Sequence, residues 1–206
     1  MKVIHYQMVD TWRKIGYPDS LSHDEKFTVL SRQILCLQEE LDELKKGIEK
    51  SDRNEIIDGY CDIMWVLMMA ASIIHYSPIM NVRKLIEEDN YSLAGQVRRL
   101  QGHIDVLYNT YKYAMSDDTS KIDEFKRNIA QGIYRCLSGL RYEVSFTNRT
   151  DLDIMVENCF SEVIFSNYSK IVDGKLPLDS TGKITKSVAK ANGTYVEPDF
   201  TRFLVR

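Results

Sequence analysis

The chain has 206 residues, 44% of them hydrophobic, with a formal net charge of −3 and four cysteines. That length supports one sizeable core rather than two independent domains, and the charge balance gives no footprint for a nucleic-acid polymer or an anionic membrane. The cysteines, Cys36, Cys61, Cys136 and Cys159, form no CxxC pair and read as reduced thiols of a cytoplasmic protein.

The opening MKVIHYQMVDTW lacks the apolar core and cleavage site of an export signal. Ile4, Met8, Trp12 and Ile15 recur at helical spacing, which predicts a short amphipathic helix ended by Gly16-Tyr17-Pro18. Ser22 and Glu25 have the spacing of a capping box. From there Leu30, Ile34, Leu37, Leu41 and Leu44 form one apolar stripe, with Gly47 as the expected C-terminal cap. Asp52 is placed to cap the next helix, which runs to about His75.

The apolar run from Ile63 to Ala71 is shorter than the roughly 18 residues needed to span a bilayer, so it predicts a buried helix and no membrane partner. Ser77-Pro78 predicts a short helix ending near Glu88. Leu93, Val97, Leu100, Ile104 and Leu107, then Ile122, Phe125, Ile129, Ile133 and Leu137, predict two antiparallel helices joined by a polar turn from Ser116 to Ser120. A further helix begins near Thr150 and carries Leu152, Met155, Cys159, Val163 and Phe165 on its apolar side. After Lys170 glycines, prolines and lysines dominate; Lys175 to Leu178 and Lys183 to Lys186 have the pattern of a short hairpin across Asp179 to Gly182. The expectation is a single all-α domain, a helical bundle with an irregular tail from 170 to 206.

The most informative stretch runs from Glu39 to Asp62. It places Glu39, Glu40 and Glu43 on one helix and Glu55, Asp58 and Asp62 on the next; at about 3.6 residues per turn, Glu40 with Glu43, and Glu55 with Asp58 and Asp62, share faces. Asp58 and Asp62 adjoin the apolar run, where carboxylates repel and lose hydration unless cations neutralise them. Clustered oxygen donors without clustered His or Cys point to magnesium rather than zinc. Two plainer readings stand beside this: Glu39 to Glu43 as a solvated face paired with Lys45 and Lys46, and Glu55 as the reciprocal half of a capping box with Asp52.

EExxE at Glu39, Glu40 and Glu43, followed by ExxD at Glu55 and Asp58, resembles the signature of the all-alpha nucleoside triphosphate pyrophosphohydrolases, a group that includes MazG-type enzymes. EVIFSNYSK from Glu162, DGK from Asp173, GKITK from Gly182 and YVEPD from Tyr195 resemble the tail of its phosphoribosyl-ATP pyrophosphohydrolase-like branch, many members of which come from tailed phages. The resemblance covers roughly residues 1 to 88 and 150 to 200, which makes 89–149 a helical insertion.

The resemblance implies hydrolysis of a (d)NTP to a (d)NMP and pyrophosphate, with Mg2+ as the cofactor and Mn2+ as a substitute. Glu40, Glu43, Glu55 and Asp58 would be metal ligands, while Glu39, Glu40 and Asp62 would serve the catalytic chemistry. Asn167, Ser169, Lys170, Lys183 and Lys186 would meet the phosphates, and Tyr195 or Trp12 would stack on the base. It further implies a homo-oligomer, dimer or tetramer, in a host cytoplasm. Phosphoribosyl-ATP hydrolysis and a catalytically silent helical binding module are the alternatives.

Overall fold

The computed structural model describes residues 3–16, 21–79, 81, 92–116, 118–145, 151–177 and 184–204. These form an all-α bundle: α1 (Val3–Gly16), α2 (His23–Lys50), α3 (Arg53–Ile73), α4 (Leu93–Thr110), α5 (Thr119–Ser145) and α6 (Leu152–Ser169). Two short turns, α7 (Ser187–Ala191) and α8 (Thr201–Leu204), follow in the tail, and a 3-10 turn, Tyr111–Tyr113, follows α4. Lys183 and the helix expected after Ser77 lie wholly or mainly outside the described residues.

The axis of the bundle is α3, against which α1, α2, α5 and α6 all pack. Every residue from Ile63 to Ile73 is buried. By length and composition this helix matches one able to cross a membrane, yet 89% of the matching stretch is buried inside the protein, so its apolar surface is satisfied by neighbouring helices.

The stripe expected on α2 is the buried one: Leu30, Ile34, Leu37, Leu41 and Leu44 all face α3 and its neighbours, each stabilising by about 1.5–3 kcal/mol relative to exposure. Ser22 and Glu25 complete the capping box at its start. Gly47 does not end the helix. α2 continues to Lys50 and stops at Ser51, which adopts a left-handed conformation with φ 54° and donates its amide to the last turn. Gly47 serves the approach of α3 instead: a Cβ there would lie 2.9 Å from the Cβ of Glu55. Gly59 does the same from the other side, with Leu44 Cβ at 2.9 Å and Leu44 Cα at 3.0 Å from a Cβ built on it.

α4 and α5 pair as an antiparallel hairpin whose predicted stripes are buried except at their first members, Leu93 and Ile122, which are half-buried. α5 is not peripheral, because it also packs along α3. Three expectations of detail change. On α1 the buried positions are His5, Val9, Trp12 and Arg13, while Ile4 and Ile15 are exposed. Polar pairing moves that face: Arg13 Nε donates to Ser72 Oγ at 2.6 Å, Arg13 also pairs with Asp10, and His5 Nε2 meets Ser161 Oγ at 3.1 Å. On α6, Phe165 is exposed, and Ile164 takes the buried position beside Val163. In the tail, the described residues hold an isolated antiparallel bridge between Val172 and Lys175, closed by Asp173 and Gly174 at positive φ. Of the expected hairpin they retain one backbone bond, from Thr185 N to the Pro177 carbonyl at 2.9 Å.

Candidate active site

The two-residue connection between α2 and α3 makes them antiparallel, and the close crossing at Gly47, Leu44 and Gly59 sets their acidic faces side by side. On α3, the positions that escape complete burial before Ile63 are Arg53, Asn54, Glu55, Asp58 and Asp62. Three carboxylates therefore run along the one edge of the helix that meets solvent.

Asp52 caps α3 by accepting from the amides of Asn54 at 3.0 Å and Glu55 at 3.3 Å. The reciprocal half of the box is not made, because the Asp52 amide donates to the Gly47 carbonyl at 2.9 Å. The Glu55 carboxylate is thereby free of the capping role and lines a cleft of about 350 Å³ with Asp58, Lys186 and Tyr195.

Asp58 and Asp62 sit one helical turn apart. Asp58 Oδ1 is fully buried and has no hydrogen-bond partner among the described residues. Burial first, then the charges of Asp62 and Glu55, push the Asp58 carboxyl up to about 8, against the opposing pull of Lys170 and Lys186. Burial likewise raises Asp62, to about 6, with Glu43 adding to the rise and Lys170 and Lys186 opposing it. The two titrate as a pair that holds on to a proton at neutral pH. A chain of fields thus links Glu55 to Asp58, Asp62 to Asp58 and Glu43 to Asp62, with the Lys170 and Lys186 ammonium groups opposing the two aspartates' shifts.

Lys170 is half-buried at the end of α6, where its Nζ donates to Asn167 Oδ1 at 2.7 Å. Asn167 is itself buried. Its Nδ2 donates to the Val163 carbonyl at 3.1 Å, and its own carbonyl accepts from Trp12 Nε1 at 3.0 Å, so its amide positions Lys170 rather than standing open to a ligand. Ser169 ties down the tail, donating to the Ser166 carbonyl at 2.7 Å and accepting from the Val196 amide at 2.9 Å. That segment carries Tyr195, whose ring has Lys186 Nζ at 5.4 Å and Lys190 Nζ at 5.1 Å from its centroid. The lysines occupy the ring by cation–π attraction.

A second cleft, of about 160 Å³, lies toward the other end of the α2–α3 groove and is lined by Glu40, Asp62, Lys170 and Trp12 among others. Trp12 is 1% exposed and packs edge-on against Trp65 at 5.0 Å and 83°, so it forms a wall and does not offer an open face for stacking. Glu39 is exposed and lines neither cleft. Lys45 reaches Asp42 at 3.5 Å and Gln101 at 2.6 Å, away from the acidic groove.

Among the described residues, no three His, Cys, Asp or Glu side chains converge into a ready-made metal cage. Cys36, Gln33 and Arg32, absent from the sequence-based candidates, also line the smaller cleft; their signal in the sequence is a position four, seven and eight residues ahead of Glu40 on the same helix. Comparison with protein-family models, curated proteins and solved structures found no match for this chain.

Proposed function

We propose that the chain is a magnesium-dependent nucleoside triphosphate pyrophosphohydrolase that converts a (d)NTP and water into the (d)NMP and pyrophosphate. The Asp58 carboxylate carries this reading: its buried Oδ1 lacks a partner among the described residues, it sits a turn from Asp62, and Lys170 and Lys186 act on both. Acids retained for structure are ordinarily hydrogen-bonded. A site for anions alone has no use for four carboxylates, whereas a cation carried with a polyphosphate satisfies the acids and the lysines together.

Magnesium fits this donor set because it commonly takes one or two carboxylates and completes its octahedron with waters and substrate phosphates. A preassembled cage of three side chains is therefore not required, and Mn2+ would substitute through the same hard oxygen donors. When bound, the metal supplies an activated water and neutralises charge on the leaving pyrophosphate.

Asp58 and Glu55 on α3, with Glu43 and Glu40 on α2, would hold the metal. Asp62, raised toward neutrality, would take the proton of the attacking water. Lys170, fixed by Asn167, and Lys186 would hold the phosphate chain as point charges. The reading includes a homo-oligomer, which sedimentation measures directly.

The deciding experiment incubates the purified protein with NTPs, dNTPs and phosphoribosyl-ATP in magnesium and assays pyrophosphate. We expect release from at least one nucleotide. Release from none would sink the enzyme reading in favour of a silent binding module.

A further inference from the structure

The smaller cleft contains a polar group for which phosphate hydrolysis has no use. Gln33 on α2 is 6% exposed as a whole and lines the cleft, and its carboxamide is not among the buried polar groups left without a partner, so its polar end reaches the cleft's solvent. A carboxamide that reaches a cleft can both donate to and accept from whatever occupies it. Trp65, Val66 and Cys36 make the apolar part of the lining around it, and Arg32, Glu40, Asp62 and Lys170 the charged part, with Trp12 as a further wall. The one polar atom of the Trp12 ring is already bonded to the Asn167 carbonyl.

Position along the groove narrows what the cleft would accept. Gln33 precedes Glu40 by seven residues on α2, two helical turns or about 10 Å, while Trp65 and Val66 lie one turn beyond Asp62 on α3. Lys170 stands between this cleft and the acidic groove, since it lines the former and acts on Asp58 and Asp62 in the latter. A ligand seated here therefore meets the Gln33 carboxamide and the apolar lining at one end and the Lys170 ammonium at the other.

We infer that this cleft seats the base of the nucleotide, and that the Gln33 carboxamide reads the base's hydrogen-bonding edge; the inference rests on the nucleotide reading above. A carboxamide presents a carbonyl acceptor and an NH2 donor in one plane, which suits the adjacent donor and acceptor on a nucleobase edge. Tyr195 is placed for a different task. Its ring lies in the other cleft, at the Glu55 end, between two lysines.

Both tryptophans of the chain line this cleft, so intrinsic fluorescence reports on it. The test titrates the wild type, Gln33→Leu and Tyr195→Ala with the common ribo- and deoxyribonucleoside triphosphates and with inorganic tripolyphosphate. Calcium replaces magnesium to hold back turnover, and kcat/KM is then measured in magnesium. Nucleotides, but not tripolyphosphate, are expected to change the tryptophan emission. Gln33→Leu is expected to compress the ratio between best and worst nucleotide by about tenfold or more while leaving tripolyphosphate affinity unchanged, and Tyr195→Ala to keep the wild-type ranking.

An unchanged ranking in Gln33→Leu, or nucleotide binding that leaves the emission unaltered, overturns the inference. Base-ranked binding with Gln33 dependence but no hydrolysis would instead overturn the enzyme reading and leave this one standing. Thermal melting checks the fold: Gln33→Leu nearly conserves the side chain's volume and should melt close to the wild type. Gln33→Asn, which keeps the amide but shortens its reach, provides a second variant expected to alter the ranking.

Discussion

Asp58→Asn isolates the electrostatic strain in the acidic groove. Burial and the neighbouring Asp62 and Glu55 raise the Asp58 carboxyl from 3.8 to about 8 in the folded chain, with Lys170 and Lys186 opposing. Because the folded value exceeds the unfolded one, the metal-free protein is most stable in mild acid. It loses stability as pH climbs from about 4 toward 8.

At about 1.4 kcal/mol per pH unit, the penalty at pH 7 is capped near roughly 4 kcal/mol. The side chain keeps some contact with solvent and shares its titration with Asp62, so about 2 kcal/mol is the part that an uncharged Asn relieves. For a chain of this size that corresponds to a rise of about 4–8 °C in Tm. The assay is thermal unfolding from pH 5 to 8.5, in chelator and in magnesium.

The wild type in chelator should show a falling Tm across this range, and Asp58→Asn a higher and flatter one. Magnesium at a hundredfold excess over its dissociation constant should restore about 2.7 kcal/mol to the wild type and little to the variant. If Asp58→Asn melted lower than the wild type at pH 7.5 in chelator, with the same pH slope, Asp58 would be a satisfied structural acid and the desolvation argument would fail.

Other outcomes follow from separate parts of the molecule. Gly59→Ala puts a methyl 3.0 Å from the Leu44 backbone and should destabilise by about 1–3 kcal/mol in urea unfolding; Gly102→Ala, with nothing within 4 Å, should stabilise by about 0.5–1 kcal/mol. Glu40→Gln should abolish pyrophosphate release while leaving the far-UV circular dichroism unchanged, and activity near the wild-type rate would remove Glu40 from the site. Lys170→Met removes a cation that lowers both Asp58 and Asp62, so the acid limb of the pH–rate profile should move to higher pH. Ser169→Ala breaks the 2.9 Å bond from the Val196 amide, and hydrogen exchange at that amide should accelerate.

The helical class and most of the buried stripes were legible in the chain because they depend on local periodicity. Leu30 to Leu44 on α2, and the stripes of α4 and α5, are repeats that any packing partner would bury. The α1 face was not legible, for the opposite reason: Arg13 and His5 are buried where Ser72 on α3 and Ser161 on α6 meet them. No local pattern encodes partners so distant in sequence. Gly47 likewise looks like a cap, and its role in the approach of α3 depends on Glu55 lying across from it.

In the groove, residue type and spacing by themselves determined which carboxylates share a helical face, since that follows from the helical repeat alone. Tertiary structure decided their state. It freed Glu55 from capping, buried one Asp58 oxygen without a partner among the described residues, and brought Lys170 and Lys186 to act on the acids from segments more than 100 residues away. Charge and burial at a site are sums over everything packed around it, so only the folded chain sets them.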